Sequence, residues 1–129
     1  MRRLRFIFIL GLAILGLISH PRAQSSNDID ISVSLDREAI AVDEQAVLQI
    51  EIAGPIQDLP APSMPEMQKF EIYSQGRSSN ISIVNGQVSS SVIYRYILIP
   101  QAPGLYPISG ISLSYNNKMY SGNAVTLTV

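Results

Sequence analysis

Aliphatic and polar residues alternate with period two along most of this sequence, a pattern that presents one face to a core as a strand but not as a helix. Ile29, Ile31, Val33 and Leu35 alternate with Asp30, Ser32 and Ser34, which predicts a first strand with its aliphatic face inward. A turn at Asp43 and Glu44 leads to a second strand. There Ala46, Leu48, Ile50 and Ile52 alternate with Val47, Gln49 and Glu51 until Gly54 and Pro55 end it. Pro60, Pro62 and Pro65 forbid a helix or an interior strand over residues 56–67, so that segment is expected to be an extended connection. Phe70, Ile72 and Ser74 begin a third strand, and residues 78–84 form a fourth. Asn85 and Gly86 then supply the two positive-φ positions of a type I′ hairpin. The strand over residues 87–99 is apolar on both faces toward its end, as in a central strand covered on two sides. After a turn over residues 100–104, strands at residues 105–108, 111–115 and 124–129 complete the set, with a tight turn at Asn116 and Asn117.

Seven to nine short strands without a helical pattern predict an all-β fold, an immunoglobulin-like β-sandwich, with the jelly roll and other sandwiches as alternatives. The immunoglobulin-like topology is favoured by Gly104 and Tyr106 after Pro103. This G-x-Y spacing opens a late strand in such domains, with the tyrosine hydroxyl bonding back to the corner. The cysteine and tryptophan landmarks of antibody domains are both missing.

The N-terminus carries a different pattern. Arg2, Arg3 and Arg5 precede an apolar run over residues 6–18, too short for the roughly 20 residues that cross a bilayer as a helix. This is the layout of a secretory signal peptide, expected over residues 1–23 with cleavage after Ala23 and with residues 24–129 as the exported domain. Without cysteine there is neither a lipid-modified cysteine anchor nor a disulfide, so the domain relies on packing. Arg22 and the three earlier arginines leave with the leader. Five basic residues then face ten acidic ones, a net charge of −5 with no electrostatic case for nucleic acid or anionic membrane. All the acids fall within residues 28–71.

The leader also takes His20, the single histidine, so the exported part holds neither a histidine nor a cysteine for a nucleophile triad or a transition-metal site. Asp28 with Asp30 and Asp43 with Glu44 are the remaining acid–base or calcium candidates. Neither pair has a calcium-loop pattern, and surface solvation is their expected role. Gly104, Gly110 and Gly122 are isolated turn glycines, not a phosphate loop. Tyr94 and Tyr96 share a strand face where packing is expected, a sugar-stacking platform being the alternative. Asn80 and Ser82 form an N-glycosylation triplet that matters only in a eukaryote. The serine-rich residues 74–91 are expected to be a solvated hairpin face, with strand addition by a partner as the alternative.

Several features recur together in one order. Residues 34–43 are followed by Leu59, Pro60 and Pro62, by Phe70, by the Asn85–Gly86 turn, and by the strand holding Tyr94, Arg95 and Tyr96. The Pro103, Gly104, Leu105, Tyr106 corner and the closing residues 120–129 complete the series. In this the chain resembles the N-terminal region of the BatD family over nearly all of its exported part. The resemblance implies an envelope protein of the aerotolerance system of Bacteroides-like bacteria, in the periplasm or at the periplasmic face of the inner membrane. Its implied partners are von Willebrand A domain Bat proteins, encoded alongside a MoxR-type ATPase. Family members carry several β domains and then a transmembrane helix, so contact with a membrane is expected only through such an absent anchor or through partners.

The resulting expectation is a non-enzymatic protein-interaction module, with a carbohydrate-binding or adhesin-type module using Tyr94, Tyr96, Tyr115 or Tyr120 as the alternative. No catalytic, cofactor-binding or metal-ligating residues are expected, and no cofactor. A sharper version has Asp58 or Glu66 complete a metal site on a von Willebrand A partner.

Overall fold

The computed structural model describes residues 28–129. The expected leader, its cleavage after Ala23 and His20 lie outside the described residues. Eight strands and no helix form the described chain: β1 (Asp30–Leu35), β2 (Ala46–Gly54), β3 (Phe70–Val84), β4 (Gln87–Pro100), β5 (Leu105–Ile108), β6 (Ser112–Tyr115), β7 (Lys118–Ser121) and β8 (Val125–Thr128). They make an all-β, sandwich-like fold. One layer is a four-stranded antiparallel sheet in the order β1-β2-β4-β3, and two strand pairs, β5-β8 and β6-β7, supply the other. Single bridges extend these pairs, Ala39 alongside Thr128 and Ser63 alongside Ser112.

Alternation determines which side of the large sheet is covered. Ala46, Leu48, Ile50 and Ile52 of β2 are fully buried, and their register partners Leu98, Tyr96, Tyr94 and Val92 on β4 share that face. Ile108, Leu113 and Leu127 enter the same cluster from β5, β6 and β8. Removing Leu48, Ile50 and Ile52 from water contributes about 2 kcal/mol each.

Three sequence expectations are revised. The third and fourth strands are one, because β3 runs unbroken through a bulge between Ser74 and Gly76 where Gly76 takes φ +145°. The extra residue reverses parity: Phe70, Ile72 and Ser74 face the core side before it, and Arg77, Ser79, Ile81 and Ile83 after it. Together β3 and β4 make a long hairpin rather than short strands. β7 was not foreseen, since Lys118–Ser121 has no apolar run, and it forms by pairing with β6 across Asn116 and Asn117. Both asparagines have positive φ, 49° and 60°, as a type I′ turn requires. Finally, the end of β4 is covered on one side only. Ile93, Ile97 and Ile99 are half-buried on the outer face and lie outside the core cluster.

The corner expected from the G-x-Y spacing is present. The Tyr106 hydroxyl donates to the Ala102 carbonyl at 2.7 Å, and its ring meets Phe70 edge-on at 4.9 Å. A Cβ on Gly104 would stand 3.2 Å from that ring, so glycine gives the tyrosine room to fold back.

Candidate functional site

The acidic groups singled out in the sequence are dispersed rather than gathered. Asp28 accepts from the Lys118 ammonium at 3.0 Å on an exposed surface, and this bond raises the lysine pKa above its ordinary value. Glu44 accepts from Arg37 at 2.7 Å and from the Ala41 amide at 3.2 Å, closing the loop before β2. Both carboxylates are thus engaged in surface ion pairs. Among the described residues no group of three or more His, Cys, Asp or Glu side chains is placed to hold a metal ion.

The tyrosines go to packing. Tyr94, Tyr96, Tyr106, Tyr115 and Tyr120 are partly buried against the core, and only Tyr73 stands exposed on the outer face. Arg77 lies 5.8 Å over the Tyr94 ring and Lys118 lies 5.1 Å over the Tyr120 ring. Burial, with the Tyr94 phenol beside it, raises the Tyr96 pKa. The four tyrosines named for a sugar platform are thus all partly buried against the core.

Two surfaces remain open. The first is the connection over residues 56–67. Its prolines keep it extended, and it is fastened by the buried Ser90 hydroxyl donating to the Ile56 carbonyl and by the bridge between Ser63 and Ser112. Asp58 and Glu66 are exposed on it and have no ion pair among the described residues. Asp58 shares a cleft of 220 Å³ with Gln57, Arg77, Ser79 and Ser91, floored by Leu59 and Val92. The second is the distal part of the β3–β4 hairpin. Ladder pairing with β2 ends at Gly54 opposite Ser90, so the residues beyond pair only with each other. Ile81, Ile83 and Val84 are 53%, 61% and 62% exposed there, and Asn80 and its neighbouring serines lie on this arm. The sequence located the arm through its turn but not its reach, which follows from β2 stopping short.

Comparison with protein families decides the relationship. A family model described as the BatD DUF11 like domain matches residues 33–129. The chain belongs to the BatD family. The matched stretch begins within β1 and runs through β8, so the BatD domain and the described sandwich are essentially the same unit. The ordered series of residues by which the sequence resembles the family, residues 34–129, lies wholly within it. No curated protein and no solved structure matches the chain.

Proposed function

We propose that this BatD-family chain is a non-enzymatic interaction module of the bacterial envelope. In this reading it is exported to the periplasmic face of the inner membrane and docks on von Willebrand A domain partners in oxygen tolerance. The observation that carries the docking reading is the connection over residues 56–67. This surface segment is held extended on a rigid sandwich and offers two exposed carboxylates, Asp58 and Glu66. Proline pre-orders such a segment, so little conformational entropy is lost when a partner takes hold of it. A carboxylate presented in this way suits a divalent cation with an open oxygen position on the partner.

Pull-down of the partner with and without magnesium tests the reading. Asp58→Asn combined with Glu66→Gln is expected to weaken capture at least tenfold in magnesium and to leave the weak magnesium-free background unchanged. Equal capture by the parent and the double variant rejects the carboxylate contact. Absence of capture by the parent rejects the partner.

A further inference from the structure

The four-stranded sheet has two edges, and the fold treats them oppositely. At β1 one side chain caps the edge at Val33. Asn123 Oδ1 accepts from the Val33 amide at 2.8 Å while its Nδ2 donates to the Val33 carbonyl at 2.9 Å. Gly122 lies so close that an added Cβ would stand 2.9 Å from both Ile31 and Val33. At β3 there is no such closure. Among the described residues, no backbone hydrogen bond joins residues 76–84 to any segment other than β4. The register from Arg77 to Val84 is regular, no proline interrupts it, and Arg77 is its one charge. An edge of this kind is a template for another strand unless a protein blunts it, and here the bulge blunts only its base.

Charge determines which strand fits. The described chain carries ten acidic residues, all within residues 28–71, against five basic ones, so two copies repel wherever their bodies meet. Residues 78–94 hold no charge at all. This stretch of open edge is where two copies approach without setting like charges against each other. We infer that the edge over residues 76–84 pairs antiparallel with the same edge of a second copy, joining two four-stranded sheets into one of eight strands. A register centred on Ile81 sets that residue beside its own counterpart, Ser79 beside Ile83, and Arg77 beside the uncharged turn at Asn85. The exposed Ile81 and Ile83 of both copies then lie on one face and shelter each other. The contact is isologous, as closed dimers are. It is also small beside a standard interface of about 1,600 Å², so the dimer forms at high concentration. The edge adjoins the docking segment, since Asp58 shares a cleft with Arg77, Ser79 and Ile81, but the inference does not rest on that docking: sedimentation reads the one and pull-down the other.

Sedimentation of the purified protein from about 1 to 500 µM brackets the association expected of such an interface. The parent is expected to pass from monomer to dimer over that range. Ile81→Lys and Ile81→Glu each place like charges together at the symmetric position and are expected to remain monomeric throughout. An equimolar mixture of the two is expected to regain the dimer, because the opposed charges then attract. Position 81 is exposed at the rim of a cleft that reaches the buried Leu59 and Val92, and matching circular dichroism and melting curves verify that the variants fold. The inference is overturned by a parent that stays monomeric at the highest concentration, as an edge reserved for a different protein's strand would be. Variants that dimerise as the parent does, or a mixture that remains monomeric, overturn it as well.

Discussion

Asn123 replaces a strand with a single side chain: its carboxamide presents to Val33 the same acceptor and donor pair that a neighbouring backbone would. Asn123→Ala leaves the Val33 amide and carbonyl without those partners at a half-closed edge, and is expected to cost about 1–2 kcal/mol in urea denaturation. Gly122→Ala acts beside it by crowding. With Ile31 and Val33 at 2.9 Å from the new methyl, a loss of about 1–3 kcal/mol is expected by the same measurement. Tyr106→Phe keeps the ring on Phe70 and removes the hydroxyl's bond to Ala102 and its longer one to Pro103, for an expected loss near 1 kcal/mol. Of these residues only Tyr106 was recognisable in the sequence, because its partner is four positions away. Asn123 acts on a residue 90 positions away, and no local pattern announces that.

At the scale of elements, the hairpin of β3 and β4 combines two stabilities. Its base is locked between β2 and the core, while its distal part has only its own ladder and an Asn85–Gly86 turn with φ values of 51° and 77°. Amides of β2 such as Ile50 are therefore expected to exchange with solvent far more slowly than those of residues 82–88 at low protein concentration, as hydrogen exchange would read. Deleting Ile83, Val84, Gln87 and Val88 leaves Ser82 and Ser89 paired and joined by the same two-residue turn. The stability of the shortened protein is expected to stay within about 0.5 kcal/mol of the parent, since the lost side chains pack on nothing in the core. The turn was legible because two adjacent residues suited to positive φ carry their own signature. The continuity of β3 was not, because Gln75, Gly76 and Arg77 look like a break when read alone and become a bulge only when β4 lies beside them.

For the molecule as a whole, alkaline pH acts through a partly buried phenol. Tyr96 is held above the ordinary phenol pKa of 10.0, chiefly by burial and then by the neighbouring Tyr94. Its neutral form is thus the one the fold favours. That contribution is complete below pH 10.0, the ordinary value, and is lost as pH rises through the raised one. Thermal melting is expected to show a falling midpoint above about pH 10, and Tyr96→Phe to shrink the fall. Legible in the residues alone were most of the strand-forming segments, the inward faces of β1 and β2, the type I′ turn at Asn85 and Gly86, the extended proline-rich connection and the tyrosine corner. Each of these follows from period-two patterning or from the φ preferences of a few adjacent residues. That β3 is a single strand, that β7 exists and that one sheet edge is capped at Val33 while the other is open emerge only in the folded chain. Those outcomes depend on which distant segment arrives alongside, and hydrogen bonds and close packing between segments are settled only when the chain has folded.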